Sequence, residues 1–115
     1  MYRFQICPYS SDECVSAECD QESDGGRWTI FQRRQPTSSR ENFYRPWADY
    51  VEGFGEISPS GEYWLGLDHL HQLTSGSDQE ILITLVDWQG ERRYAKYSHF
   101  SVGSSDDKYK LTITG

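Results

Sequence analysis

The last third of the chain alternates strand and turn, and that pattern restricts the fold more than any other feature. Glu80 to Trp88 is β-branched and apolar, as expected of a central strand. Gln89-Gly90-Glu91 then signals a turn. Arg92 to Val102 follows as a long partner strand. Gly103 to Asp107 turns the chain again, and Tyr109 to Ile113 alternates as a third strand. Links this short join antiparallel neighbours. The expected product is a three-stranded meander.

The preceding residues read as a small β element and two short helices. Tyr2 to Ile6 and Val15 to Cys19 form a hairpin around the polar turn from Cys7 to Cys14. Asp24-Gly25-Gly26 is a second turn, where Gly25 and Gly26 permit positive φ. Arg27 to Arg34 reads as one strand, with Trp28, Ile30 and Gln32 on one face and Thr29, Phe31 and Arg33 on the other. Pro36 to Glu41 is polar loop. Pro46 at the first helical position and Gly53 as the stop bound one or two helical turns. Phe54 to Gly61 reads as loop. Leu67, Leu70 and Leu73 fall near one face of a second helix, with Asp68 at its start, where an acid suits the dipole. The fold class is α+β.

Composition narrows function. A chain of 115 residues is one domain at most, able to bury roughly two thirds of its unfolded surface. Its formal charge of −7 disfavours nucleic acid, which needs clustered Lys and Arg. The basic pairs Arg33-Arg34 and Arg92-Arg93 read as solvated strand ends. Arg33, Arg34 and Arg93 are candidates to pair with Glu22, Asp49 or Asp87. No apolar run is long enough to span a membrane. Trp28, Trp47, Trp64 and Trp88 are too large to leave exposed, so all four read as core anchors rather than sugar-stacking platforms. Burying each contributes about 2–3 kcal/mol.

Nothing in the inventory points to an enzyme. His69 and His71 are two apart, so on a helix they point away from each other. His99 lies in a strand without a readable partner. Asp106-Asp107 are adjacent acids in a turn, whereas calcium takes several spaced oxygens. A zinc site at Cys7, Cys14 and Cys19 lacks a C-x-x-C pair. Met1 is followed by Tyr-Arg-Phe and no apolar leader, the start of a cytosolic chain. The clustered cysteines argue instead for an oxidising compartment. Cys7 and Cys14 are candidates for a hairpin bridge, which leaves Cys19 unpaired.

From Cys19 onward the chain resembles the fibrinogen C-terminal domain family, which includes ficolins, tachylectins, angiopoietins and tenascins. The motifs are C-D-x-E-x-D-G-G-x-W-T-x-F-Q-R-R from Cys19, N-F-Y-R-x-W-x-D-Y-x-x-G-F-G from Asn42, G-E-Y-W-L-G-L-D-H-L-H-x-L-T-S from Gly61, L-x-D-W-x-G-x-R-R-Y-A-K-Y-x-x-F-x-V from Leu85, and K-Y-K-L-T-I-T-G from Lys108. Residues 1–18 match more loosely.

The resemblance implies that residues 1–53 are a first subdomain and linker, and that 54–115 are the first half of a central sheet subdomain. The family's third subdomain would follow Gly115. It holds the Asp-rich calcium loop, a second disulfide and the aromatic pocket for acetylated sugars or protein tails. No cofactor is therefore expected in this chain, and the ligand-binding residues are not legible in it. The family's cysteine matching Cys19 bonds to one further upstream than Met1. The implied function is an extracellular, non-catalytic recognition module, lectin-like or receptor-binding, of the kind used in innate immunity. The alternative is a truncated fragment with a structural role only. An open sheet edge at Tyr109–Ile113 is expected to favour aggregation.

Overall fold

The computed structural model describes residues 2–6, 15–20, 22–26, 28–35, 41–58, 61–76 and 78–115. It is an α+β fold of short antiparallel ribbons around two helices.

The first sheet has the order β1-β2-β3, with β1 Tyr2–Ile6, β2 Val15–Asp20 and β3 Trp28–Ile30. The β1–β2 hairpin runs in the register Tyr2↔Cys19 to Ile6↔Val15. β3 returns on β2 with Cys19 opposite Thr29. Between them, Asp20 Oδ1 accepts the N–H groups of Glu22 and Ser23, both at 2.9 Å. This local acceptor stabilises the tight 3-10 turn Ser23–Gly25. Gly25 and Gly26 take φ of 86° and 77° there.

The strand expected over Arg27 to Arg34 is split at Phe31. β3 stays with the first sheet, while β4 Gln32–Arg33 joins a second sheet of order β4-β6-β5. In that sheet β6 Tyr63–Trp64 is central, flanked by β4 and by β5 Phe54–Gly55. The Phe54–Gly61 stretch thus begins as strand at Phe54–Gly55, correcting the loop reading there. Two contacts explain the split. The Phe31 ring stacks on Phe100 and meets Trp64 edge-on, each at 5.7 Å. The buried Tyr63 hydroxyl donates to the Ile30 carbonyl and accepts from the Glu18 N–H at 3.3 Å. A side chain therefore enters the β2–β3 ladder where it ends.

Helix α1 is Trp47–Glu52, with Pro46 flanking it as N-cap rather than occupying its first position. Gly53 ends it, its N–H donating to Asp49 O at 2.8 Å. Helix α2 is Leu67–Thr74, burying Leu70 and half-burying Leu67 and Leu73, as their spacing predicts. β7 Ile81–Val86 and β8 Arg92–Tyr97 form a hairpin in the register Ile81↔Tyr97 to Val86↔Arg92.

The long strand expected to reach Val102 breaks at Ser98. β9 His99–Val102 leaves β8 and pairs with β10 Leu111–Thr114. The meander is therefore two separate ribbons, and β7 is not central: among the described residues it pairs only with β8. The break follows from α2. Thr74 Oγ1 accepts the Val102 N–H at 3.0 Å, and His71 Nδ1 lies 2.8 Å from the Val102 carbonyl. Binding β9 to the helix carries it away from β8.

The core has two centres. One gathers Ala17, Tyr63 and Leu65 with Ile30, Phe31, Ile57 and Leu73. The other gathers Leu70, Ile81, Phe100 and Val102, again with Phe31. Phe31 joins the two. The sheet β4-β6-β5 likewise joins β4 to the later strands β5 and β6.

Tyr63 gives a pH test of this core. Burial is the main cause that pushes its phenol up, to about 12 from 10.0. As pH rises through this window, the unfolded chain ionises Tyr63 while the fold keeps it neutral. Stability contributed below the unfolded value is thus lost, by about 2–3 kcal/mol at the top of the window. Cys19, raised by burial and then by Glu18, adds a slope of the same sign. The Tyr63→Phe protein is therefore the reference. We expect urea midpoints between pH 9 and 12 to fall more steeply for the wild type. Parallel slopes would contradict this assignment.

Candidate recognition surfaces

The β7–β8 ribbon carries several exposed side chains, among them Ile83, Leu85, Val86 and Tyr94. By register, Leu82, Thr84 and Val86 share one face with Lys96, Tyr94 and Arg92. The tight turn after β2 brings Ser23 against this face, closing a groove of about 520 Å3 lined by Ser23, Leu82, Thr84, Arg92, Tyr94 and Lys96. Lys96 is held in place: its Nζ lies 3.5 Å from the Glu80 carboxylate and 5.8 Å from the Trp28 ring centre. Tyr94 is 75% exposed. The opposite face begins buried at Ile81 and reaches 65% exposure at Leu85. The groove's lining combines Leu82 and Tyr94 with two hydroxyl side chains and two cations.

The four tryptophans divide. Trp28 is half-buried, and its Nε1–H donates to the Ser23 carbonyl at 2.8 Å. Trp64 is half-buried between Phe31 and Tyr50 and donates to the Tyr50 carbonyl at 2.8 Å. Trp47 and Trp88 are 61% and 95% exposed, which corrects the expectation that they anchor the core. Trp88 sits in the reverse turn after β7. Asp87 Oδ1 closes that turn by accepting the N–H groups of Gln89 and Glu91. A turn tip has no opposing layer to bury an indole. Trp47 opens α1 and stays exposed there.

Around α1, Arg45 donates to Glu41 at 2.6 Å and to Asp49 at 3.2 Å, and its guanidinium lies over Phe54. Near α2, the Tyr109 hydroxyl donates to Asp68 Oδ1, a bond that pushes the phenol up. The Trp47 ring lies 6.1 Å from the Tyr109 ring at 56°. Sequence reasoning assigned Asp68 only to the helix start and missed Tyr109, because no local pattern signals a contact across forty residues.

The expected ion pairs are rearranged. Asp49 pairs with Arg45, Arg93 with Glu91 at 3.3 Å, and Asp87 serves its own turn. Arg34 lies over the Phe43 ring at 4.3 Å, and Arg33 donates to the Ser58 carbonyl at 2.7 Å. Glu62, which sequence reasoning did not single out, is buried and accepts the N–H groups of Gln35 and Glu41.

Cys7 and Cys14 lie outside the described residues. Cys19 is buried and forms no disulfide among the described residues. Beside it, buried Glu18 has no hydrogen-bond partner for either carboxylate oxygen among the described residues. Asp106 and Asp107 lie exposed in the 3-10 turn Ser105–Asp107. His69, His71 and His99 do not converge with acids or thiols: among the described residues no group of three metal-ligating side chains occurs. No helix among these residues is long and apolar enough to cross a membrane.

Comparison with known proteins gives a consistent family. The profile described as "Fibrinogen beta and gamma chains, C-terminal globular domain" matches residues 2–115. Human Angiopoietin-4 is 45% identical over 97 residues, covering 84% of this chain and 18% of its own length. Bovine Fibrinogen-like protein 1 is 45% identical over 111 residues, covering 96% of this chain and 35% of its own. Among solved structures, the fibrinogen-like globe domain of human ANGPTL2 superposes with a TM-score of 0.90 at 36% identity, over 98% of this chain and 50% of that one. Lamprey fibrin D-dimer, solved with the peptide Gly-His-Arg-Pro-amide, gives 0.87 at 35% identity, over 97% of this chain and 34% of that one. The chain thus spans half or less of the length of each of these relatives.

Proposed function

The chain belongs to the family of the fibrinogen C-terminal globular domain, and on that footing we propose that it is a non-catalytic extracellular recognition module that binds protein or peptide ligands. The family match over residues 2–115 carries this reading. The peptide held by the lamprey relative supports a peptide-type ligand. Residues 1–53 then serve as first subdomain and linker, and 54–115 as the start of the central sheet. The contact surface is the β7–β8 ribbon with its groove and the exposed Trp88 at its tip. Exposed aromatic and arginine side chains of this kind supply most of the energy in protein contacts.

Binding of the labelled chain to unpermeabilised cells tests the reading. The paired substitution Arg92→Glu and Tyr94→Ser changes two exposed side chains and should leave the fold intact. We expect it to weaken binding tenfold or more, about 1.4 kcal/mol or above. Equal binding by wild type and variant would remove the ribbon from the reading. The lectin-like form makes a separate prediction. The chain should pass through an acetyl-sugar resin with or without calcium, and retention abolished by chelator would establish glycan binding instead. A chain that binds neither cells nor resin fits the structural-fragment alternative.

A further inference from the structure

We infer that Trp47, Tyr109 and Asp68 form a second, independent site, open to the ammonium group of a small molecule or a lysine side chain. Trp47 is 61% exposed at the start of α1, although an indole there gains most by burial. Its ring stands at 56° to the Tyr109 ring, with centres 6.1 Å apart. Rings at this distance and tilt touch each other, as aromatic pairs do, and stand as adjacent walls. A cation laid against their outer faces would come within the roughly 6 Å over which an aromatic face attracts positive charge. Asp68 supplies the anionic rim. Its Oδ1 accepts the Tyr109 hydroxyl, which fixes the carboxylate beside the Tyr109 ring and leaves its charge in place.

The backbone holds Tyr109 there at some cost. Among the described residues, Lys108 and Tyr109 are the two non-glycine positions with positive φ, 57° and 55°. Such a conformation is uncommon for a bulky residue and persists only where surrounding contacts impose it. Here the contacts are the Asp68 hydrogen bond and the Trp47 ring. No cation–π contact among the described residues uses Trp47 or Tyr109. The nearest cation along α1, Arg45, is committed to Glu41, Asp49 and the face of Phe54. A net charge of −7 adds a long-range attraction for a cationic ligand.

The chemistry selects an organic ammonium over a metal ion. One carboxylate with one oxygen already engaged is too little for calcium, and aromatic walls offer no oxygen ligands. They do favour a weakly hydrated, methylated or alkyl ammonium. The site differs in place and in ligand charge from the β7–β8 groove, so either can fail without the other.

Nuclear magnetic resonance of the four indole N–H groups reads the site directly, because Trp47 is distinguished from the other three by its loss in Trp47→Phe. Choline is titrated at constant ionic strength against its neutral carbon isostere, 3,3-dimethylbutan-1-ol. A second arm uses the capped peptide acetyl-Gly-Lys-Gly-amide. We expect choline or the lysine peptide to shift the Trp47 resonance saturably, with the isostere inert. Response to choline alone assigns a small quaternary ammonium, and response to the peptide assigns a basic side chain of a partner protein. Asp68→Asn keeps an acceptor for Tyr109 but removes the charge, and should weaken binding about two- to fivefold. Trp47→Ala should abolish the Tyr109 response. An equal shift with the isostere, no shift with either cation, or unchanged affinity in Asp68→Asn overturns the inference.

Discussion

Replacing Gly55 by alanine is expected to destabilise the fold by about 4 kcal/mol or more, beyond the range of an ordinary substitution. Gly55 has a φ of 96°, where a side chain is strained. A Cβ there would stand 2.4 Å from the Glu62 carbonyl oxygen and 2.6 Å from the Tyr63 Cα. Both atoms belong to the main chain around β6, the central strand of its sheet, and neither can swing aside. Gly90 provides the control. Its φ of 82° is equally unsuited to alanine, yet nothing lies within 4 Å of a Cβ placed there. Gly90→Ala should cost only the conformational part, about 1–2 kcal/mol. Urea unfolding followed by tryptophan fluorescence measures both. Comparable losses would show that the β5–β6 approach is looser than described.

Glu62→Ala should cost about 3–5 kcal/mol, from two charge-assisted hydrogen bonds lost together. The Glu62 side chain is 2% exposed. Its Oε2 accepts the Gln35 N–H at 2.8 Å and its Oε1 the Glu41 N–H at 2.7 Å. One carboxylate therefore clasps both ends of the segment between them. Truncation strands two backbone donors and the space the side chain filled. Glu62→Gln is informative as the near-isostere. It retains one acceptor and turns a donor toward the other N–H, so about half the loss is expected. Amide exchange gives a local readout. Gln35 and Glu41 should exchange slowly in the wild type and much faster in Glu62→Ala, while amides of the β7–β8 hairpin change little. Unchanged protection at Gln35 and Glu41 would mean that the clasp does not hold the segment.

The fold was legible where its determinants are local. The β1–β2 hairpin, the α2 face of Leu67, Leu70 and Leu73, and a turn at Gln89-Gly90 all follow from alternation, helical spacing or turn chemistry within a few residues, although that turn begins earlier than expected, at Asp87. The breaks at Phe31 and Ser98 were not legible, because neither residue is a local breaker. Phe31 leaves its strand for rings at Trp64 and Phe100, and the chain turns after Ser98 because Val102 bonds to Thr74. The expected core role of Trp47 and Trp88 overlooked position. Size alone argues for burial, but Trp88 sits at a turn tip and Trp47 at a helix start with one ring, Tyr109, beside it, and both stay largely exposed.

The sequence by itself determined the α+β class, the family and the order of its elements, because turn residues, apolar period and motif spacing are written along the chain. Tertiary structure alone decided which strands pair beyond the local hairpins, which aromatics face solvent, and which acid meets which ring. Glu62 reaches back to Gln35, Tyr63 to Ile30, and Tyr109 to Asp68, over separations at which local pattern carries no information. The surfaces available for recognition arise from those long-range closures.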